Sequence, residues 1–168
     1  MENPTHLFSE EAIDKIAKIA KNTKICMFCT HLFEQPIQAR PMTIKEVDDE
    51  GNIWFISSKN SNKNYEIRSD NQVQLFFSNS NDFEYLSLYG KAFIYNDKAT
   101  IEKLWTPIVN AWFEEGKDDP KVTVIKVHPE QGYYWDTDNS KIVSFLKIAA
   151  SALTGLETEV GNHGNLKL

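Results

Sequence analysis

The turn at residues 48–52 constrains the fold more than any other feature of the sequence. Its residues, Asp-Asp-Glu-Gly-Asn, separate two strand-type segments at 37–47 and 53–56. Two strands joined by so short a turn form an antiparallel hairpin. Further strand-type segments lie at 25–33, 72–78, 83–95, 122–127 and 132–135. Seven short strands without regularly alternating helices predict a mainly β fold, an antiparallel barrel with peripheral α-helices, rather than a doubly wound α/β sheet.

Helix-type segments lie around these strands. The amphipathic pattern of residues 9–22 predicts an N-terminal packing helix capped by Ser9. A short helical turn is expected at 64–69, and Asp97 can cap a later helix that Pro107 interrupts. Further helical pieces are predicted at 108–113 and 141–153.

The length of 168 residues suits one domain, which we assign to residues 1–154. A chain of this size buries roughly 70% of its unfolded surface, so it needs neither disulfides nor a structural metal to fold. Residues 155–168 are polar and contain glycines, and they are predicted to form a flexible tail. Gly90 is predicted to mark a β-bulge within its strand.

Charge and composition argue against several classes of partner. The formal net charge is −6 and no Lys/Arg cluster offsets it, so we expect neither nucleic acid nor an anionic membrane as a partner. Residues 1–4 carry neither the basic nor the apolar part of a signal peptide, and no apolar run of about 18 residues predicts a membrane span. With only two cysteines, these features predict a cytoplasmic protein.

The sequence Cys26-Met-Phe-Cys29 has the spacing of a redox or metal motif. Both cysteines fall within one predicted strand, where side chains three residues apart face opposite sides of the sheet. No second pair or histidine set completes a zinc site, so we expect the cysteines to pack in the core and no metal to bind. Core packing is also expected, with stacking on a ligand ring as the alternative, for Trp105, Trp112 and Trp135.

The polar cluster at residues 57–63 is the main candidate site. No glycine-rich phosphate loop or nucleophile motif occurs elsewhere, and the four histidines are scattered. The cluster leaves a strand and enters a helical turn, where free backbone N–H groups, hydroxyls and ammonium groups can bind phosphate. Arg40 lies across the predicted hairpin among apolar neighbours, a setting that usually requires an anionic partner. These residues are compatible with an anion-binding site and equally with a solvated loop beside a surface strand.

The order of several motifs resembles a known family. Arg40-Pro41-Met42, the strand Ile-Trp-Phe-Ile-Ser-Ser at 53–58, Ser61-x-Lys63 and Leu-Ser-Leu-Tyr-Gly-Lys-Ala at 86–92 follow one another at the family's spacing. Later matches lie at 104–107, 112–120 and 134–136. The chain resembles the pyridoxamine 5′-phosphate oxidase-like FMN-binding split-barrel superfamily, in particular its general stress protein branch, over residues 8–153.

The resemblance implies an antiparallel split barrel that forms a homodimer and binds flavin mononucleotide (FMN) at the subunit interface. It implies that the FMN phosphate is held by Arg40 and Lys63, assisted by Ser57 and Ser61. The flavin ring and its polar edge are expected beside Pro41, Met42, Thr43, Lys45 and Ile56. Ser58, from the matching strand motif, completes this part of the site, and Tyr85 and Trp135 are expected to approach from elsewhere.

Two departures from the family pattern concern the substrate. Asn62 stands where the pyridoxamine phosphate oxidases have Arg, and no Arg follows Trp135. Without these cations, the chain lacks the positive charges that would bind the phosphate of a phosphorylated pyridoxine. Vitamin B6 oxidase activity is therefore not expected.

The resemblance leaves two main functions open. The first is an oxidoreductase in which bound FMN takes a hydride from NAD(P)H, a transient donor, and passes electrons to an unidentified acceptor. The second is a non-enzymatic stress protein that stores or senses FMN. A third reading is a related barrel that binds a deazaflavin or haem, with His128 or His163 as the haem ligand. No catalytic residue is assigned.

Overall fold

The computed structural model describes residues 7–136 and 162–168. The helices are α1 Ser9–Thr23, α2 Asn62–Ser69 and α3 Lys98–Leu104, and 3₁₀-helices follow at Pro107–Trp112 and Gly116–Asp118. The strands of the described residues are β1 Leu7–Phe8, β2 Ile25–Thr30, β3 Gln38–Thr43, β4 Glu46–Val47, β5 Ile53–Ser58, β6 Gln72–Asn79, β7 Glu84–Tyr95, β8 Val122–Asp136 and β9 Asn162–Lys167.

One sheet organises the whole molecule. Its strand order is β1-β9-β8-β7-β6-β2-β3, with β5 added to β8 and β4 added to β5. All pairs are antiparallel except β1 with β9. Within the described residues no pairing joins β3 to β5, so the curled sheet forms a split half-barrel. The predicted mainly antiparallel split barrel is confirmed.

Two hydrophobic clusters stabilise this sheet. In the larger one, α1 packs Ile16 and Ile19 against the barrel interior, where the Phe28 and Phe55 rings meet edge to face with centroids 5.3 Å apart. The smaller cluster joins α3 and the first 3₁₀-helix to β8, and contains Ile101, Leu104, Val109, Phe113, Val122 and Val124.

Of the four tryptophans, the three that were predicted to pack in the core divide between core and surface. Trp105 packs against the smaller cluster, but the Trp112 and Trp135 side chains are 71% and 46% exposed. The expectation of core packing is therefore wrong for these two residues. Trp112 ends a short 3₁₀-helix on the surface, and Trp135 alternates with the buried Tyr134 along β8, so it faces outward.

The predicted segment at 37–47 is two strands rather than one. β3 pairs with β2, whereas β4 pairs with β5. The chain changes partner at Ile44 and Lys45, whose N–H groups donate to the carbonyls of Lys24 and Trp54, respectively. The hairpin predicted around residues 48–52 is confirmed for β4 and β5, but β3 and its Arg40 do not lie opposite β5.

Other strand boundaries also differ from the prediction. β2 ends at Thr30 rather than at residue 33, because His31 adopts a left-handed backbone with φ of 52°. The segments at 122–127 and 132–135 are parts of the single strand β8. A register shift between Tyr89 and Gly90 confirms a bulge at this point of the β7–β8 pair, but the extra residue is Glu130 on β8 and not a residue of Gly90's own strand.

The helix predictions agree well with the structure where they can be compared. α1 spans nearly the predicted range, and the Asp97 carboxylate caps α3 by accepting from the Thr100 N–H at 2.9 Å. The helix predicted at 141–153 lies outside the described residues. Among the described residues, no helix has the length and apolar character needed to span a bilayer.

The two cysteines pack in the sheet as predicted. Cys26 and Cys29 are both buried and free. Burial, with a smaller effect of Cys29, raises the pKa of the Cys26 thiol to about 12, so it stays protonated and unreactive at neutral pH. Within the described part of the chain, no group of His, Cys, Asp or Glu side chains is arranged to hold a metal ion.

The prediction of a flexible C-terminal tail is wrong for residues 162–167. They form β9, which pairs antiparallel with β8 and parallel with β1. The polar residues of this segment alternate with Gly164 and Leu166, which are buried against the sheet, and Leu166 belongs to the larger cluster. The alternation is the signal of a half-buried strand, although glycines and polar residues dominate its composition.

Leu166→Ala tests whether β9 stabilises the domain. We expect a loss of about 2–5 kcal/mol in the free energy of unfolding, because Leu166 is 2% exposed and its truncation leaves a cavity. Urea denaturation followed by circular dichroism measures it. The matched control is Leu168→Ala, whose side chain is 43% exposed and whose change should lie within about 0.5 kcal/mol. Equal effects of the two substitutions would contradict the placement of β9.

Candidate anion-binding site

Arg40 lies on β3 opposite Phe28, with its side chain on the face that carries the buried Met42. Its guanidinium donates from Nη1 to Thr30 Oγ1 and from Nη2 to Glu66 Oε2, both at 2.7 Å. Thr30 also donates to Glu66 Oε2, at 2.5 Å. The anionic partner expected for Arg40 is thus found within the chain, on α2.

α2 carries the polar cluster and begins after Ser61, which has extended backbone angles at the N-cap position. Asn64 is fully buried and its Oδ1 accepts from the hydroxyls of Ser57 and Ser61, at 2.7 and 3.2 Å. Its Nδ2 donates to Thr123 Oγ1 at 2.9 Å. This network joins β5, α2 and β8, and it fixes where the helix starts.

Lys63 lies in the first turn of α2 and is half-buried. Burial lowers the pKa of its ammonium below the ordinary 10.5, the positive charge of Arg40 lowers it further, and Glu66 offsets part of this. Within the described residues no carboxylate forms an ion pair with Lys63, although Glu66 pairs with the neighbouring Arg40. The site therefore holds two cations and one paired carboxylate.

This arrangement fits an anion. Two cations that repel each other are stabilised when a negative group binds between them. The backbone N–H groups at the start of a helix have no partner within the helix, and at α2 they lie next to the Lys63 side chain. The donors here are ammonium, guanidinium, hydroxyl and amide groups, which is the donor set of phosphate sites. The Glu66 carboxylate is already bonded to Arg40 and Thr30.

Most of the predicted flavin-ring residues lie on β3 and β5. Pro41 and Thr43 are exposed on the outer face of β3, while the side chain of Met42 is buried in the larger cluster. Ile56 faces the smaller cluster, on the opposite side of β5 from Ser57. Ser58 is half-buried, and its carbonyl accepts from the N–H of Ser61.

Lys45 follows β3 and points toward the segment after α3. Its ammonium donates to Thr106 Oγ1 at 2.8 Å, and partial burial lowers its pKa. Lys45 is thus tied to the segment that follows α3.

Tyr85 and Trp135 lie side by side on neighbouring strands but apart from the cations. They are register partners in β7 and β8, which are the third and fourth strands from β3. Their side chains share the outer face of the sheet with Ser87 and Tyr133, which are in register with Pro41, whereas the neighbouring Arg40 faces the other side. Within one chain, Tyr85 and Trp135 are therefore not part of the cluster around Arg40 and Lys63.

Sequence reasoning missed several residues that shape this site. Glu66 follows Lys63 by three residues, a spacing that places both side chains on one helix face, so the helix pattern contained its signal. Asn64 and Thr123 had no such signal, because their contact joins residues 59 positions apart.

The histidines considered as haem ligands are engaged within the chain. His128 Nδ1 lies 2.8 Å from Asn52 Oδ1, and His163 Nδ1 lies 2.7 Å from the Tyr133 hydroxyl. Neither belongs to the cluster around Arg40 and Lys63.

Comparison with known proteins identifies the family of the chain. The family model described as pyridoxamine 5′-phosphate oxidase like matches residues 11–159. General stress protein 26 of Bacillus subtilis (strain 168) is 31% identical over 83 residues, which are 46% of this chain and 57% of that protein.

Solved structures show the same fold. A presumed general stress protein 26 from Jannaschia sp. CCS1 matches 92% of this chain and 97% of its own with a TM-score of 0.79 at 22% identity. A protein from Xanthomonas citri, described as a general stress FMN/FAD binding protein, matches 91% of this chain and 100% of its own with a TM-score of 0.67 at 26% identity.

Glu66→Gln tests the pairing of Glu66 with Arg40. Partial burial acts to raise the pKa of Glu66, but hydrogen bonds from Thr30 and Arg40 and the charges of Arg40 and His31 lower it below its ordinary 4.5. A carboxyl whose pKa is lowered by folding stabilises the protein above its unfolded pKa, and the contribution is lost as the pH falls through the folded pKa. The wild-type protein should therefore be more stable than the variant at neutral pH, and the difference should shrink below pH 4.5.

Urea denaturation at a series of pH values measures this difference. Glu115→Gln, at an exposed position, serves as the matched control and should show no comparable pH-dependent difference. A difference between wild type and Glu66→Gln that stays constant from neutral pH to pH 3 would contradict the pairing.

Proposed function

The chain belongs to the pyridoxamine 5′-phosphate oxidase-like family, and we propose that it is a general-stress-type flavoprotein that binds FMN through Arg40 and Lys63. The observation that carries the proposal is the half-buried Lys63 ammonium, which lies beside the Arg40 cation without a carboxylate ion-paired to it in the described residues. A phosphate monoester carries nearly two negative charges and suits these two cations. The description of the Xanthomonas citri protein as FMN/FAD binding supports a flavin.

Each predicted phosphate residue has a distinct role in this proposal. Lys63 supplies a charge that no carboxylate of the described residues pairs with, and Arg40 supplies a second charge that Glu66 and Thr30 hold in place. Ser57 and Ser61 contribute mainly through Asn64, which fixes the start of α2 and so aims its first N–H groups. Removing Arg40 would leave Glu66 without its cation, so Lys63 is the cleaner residue to test.

We propose a homodimer whose interface completes the flavin site. Pro41, Met27, Phe76, Ser87 and Tyr133 are successive register partners across five strands. Of these, Pro41, Met27 and Phe76 are exposed, so this outer row leaves an apolar patch of the kind that marks protein–protein interfaces. Tyr85 and Trp135 lie on the adjoining part of this face, so they reach an anion site most readily as residues of a second copy.

For the reaction, we propose an oxidoreductase that uses NAD(P)H as a transient donor and an acceptor not yet identified. Bound FMN supplies the hydride and electron transfer, as the cofactor does in flavoproteins. The residues of the chain bind the phosphate, cover the ring and exclude water. The absence of Arg after Trp135 argues against pyridoxamine phosphate as substrate. The cytoplasmic location stays a prediction from the sequence.

A non-enzymatic protein that stores or senses FMN is the second candidate. The observation that favours it is that Glu66, the carboxylate of the described cluster, is bonded to Thr30 and Arg40 and is therefore not free to act as a base. The two candidates share the same binding site and differ in whether a reductant reaches the flavin.

Lys63→Gln tests whether Lys63 binds the phosphate of FMN. We expect its Kd for FMN to rise about 10–100-fold, because a charged hydrogen bond to phosphate is worth about 1.5–3 kcal/mol. Quenching of flavin fluorescence during titration measures the Kd, with FAD and riboflavin as comparison ligands.

The matched control is Lys98→Gln, whose side chain is 87% exposed and lies on α3. Its affinity for FMN should equal that of the wild type. Equal binding of riboflavin and FMN by the wild type, or an unchanged Kd in Lys63→Gln, would refute the assignment of Lys63 to the phosphate.

Anaerobic titration of the FMN-loaded protein separates the two candidate functions. An oxidoreductase should lose its oxidised-flavin absorption bands on addition of NADH or NADPH, because a hydride donor must reach the ring. Dithionite serves as the control reductant. If dithionite bleaches the flavin and neither nicotinamide does, the oxidoreductase is excluded and FMN storage or sensing is favoured.

Phe76→Glu tests the dimer. Phe76 is 45% exposed at the centre of the apolar row, so a buried charge there should convert the dimer to monomers. Size-exclusion chromatography with light scattering measures the mass. Phe33→Glu, at a 78% exposed position between β2 and β3, is the control that should stay dimeric. A monomeric wild-type protein would contradict the proposed interface.

A further inference from the structure

We propose that a second cavity, separate from the anion site, binds a small aromatic anion. The cavity has a volume of ≈ 480 Å³ and lies between the C-terminal half of α2, the last residues of β7 and the start of β8. Neither Arg40 nor Lys63 lines it. Its size falls within the range of small-molecule sites, about 300–1,000 Å³.

A free strand edge forms one wall of the cavity. β6 begins at Gln72, opposite Lys91, so β7 has no neighbour on that side beyond this point among the described residues. The N–H of Ala92 turns to this side and donates to the Asn71 carbonyl at 2.8 Å. Because backbone groups alternate along a strand, the N–H and C=O of Ile94 also face this side, and no described residue bonds to them. The wall thus offers an unused donor and acceptor.

The charged residues of the cavity wall are both cations. Lys59 lies on the loop before α2 and Arg68 lies in its last turn, and no carboxylate lines the cavity. Neither cation forms an ion pair with a described residue, and Arg68 instead lies over the Tyr65 ring at 5.7 Å. In a chain with a net charge of −6, a cavity lined by two bases and no acid is selective for anions.

The remaining walls suit a flat apolar body. Phe93 and Tyr95 are 40% and 43% exposed at the cavity, and buried Ile67, Ala92 and Val122 contribute apolar surface. Aromatic side chains at a pocket bind rings by stacking or edge contacts. Together, these walls define a ligand with a planar ring, one carboxylate or phosphate that reaches Lys59 and Arg68, and a polar atom for the backbone of Ile94.

Calorimetric titration of the full chain tests the site. The probes are benzoate and phenyl phosphate, with the protein saturated in FMN so that the first anion site is blocked. If FMN proves not to bind, the Lys63→Gln variant replaces the saturated protein, so the outcome does not depend on the flavin. Binding of benzoate alone assigns a carboxylate ligand, binding of phenyl phosphate alone assigns a phosphate ligand, and binding of both supports the shared anion chemistry.

Two substitutions locate the binding. Arg68→Gln and Lys59→Gln should each raise the Kd of the bound probe about tenfold or more, because each removes a charged hydrogen bond. Lys98→Gln, exposed on α3 and outside the cavity, should leave the Kd within about twofold of the wild type. Circular dichroism shows which of the two variants is folded, and either folded variant decides the test.

Amide NMR of the same titration provides an independent readout. Binding in the cavity should shift the Ile94 and Asn96 amides before those of Asn62 and Lys63. The proposal is overturned if neither probe binds at millimolar concentration, if both cation variants bind like the wild type, or if the shifts centre on α2's first turn.

Discussion

The close approach of Gly90 to the His128 carbonyl is the contact on which the rest of the sheet depends. A Cβ at Gly90 would lie 2.2 Å from that oxygen, so no other residue fits without moving the backbone. The bulge at this point lets β7 and β8 stay paired along nearly their full length while the sheet bends. The bend leaves one half of β8 free for β5 and the other half for β9.

The candidate anion site is a consequence of that curvature. β3 is the last strand at one end of the sheet, and β5 pairs with β8 further along it. Because the sheet curls, β3 and β5 come near each other without pairing. α2 leaves β5 at this opening, and its Lys63 and Glu66 meet Arg40 from β3. Asn64 binds the ends of β5 and β8, so the position of the cations is tied to the same strands that form the barrel.

The sequence predicted correctly those features whose interactions lie close together along the chain, and it failed where the interacting residues lie far apart. The turn at residues 48–52 and the cap at Asp97 were predicted correctly, because their signals lie within a few residues. The single strand predicted over 37–47 is wrong, because the chain divides into two strands at Ile44 and Lys45. This division depends on which neighbouring strand accepts each N–H group, and the local sequence does not show that. Trp112 and β9 were misjudged because composition does not reveal which side of an element is covered.

The sequence by itself determined the antiparallel strand pattern, the irregularity in the sheet at Gly90 and the chemical type of the candidate site, a cluster of hydrogen-bond donors and cations around Lys63. These follow from local periodicity and from side-chain chemistry. Only the tertiary structure decided that Glu66 pairs with Arg40, and that Trp135 lies strands away on an exposed face. Such contacts join segments distant along the chain, and their partners are set by how the whole sheet curls rather than by any local pattern.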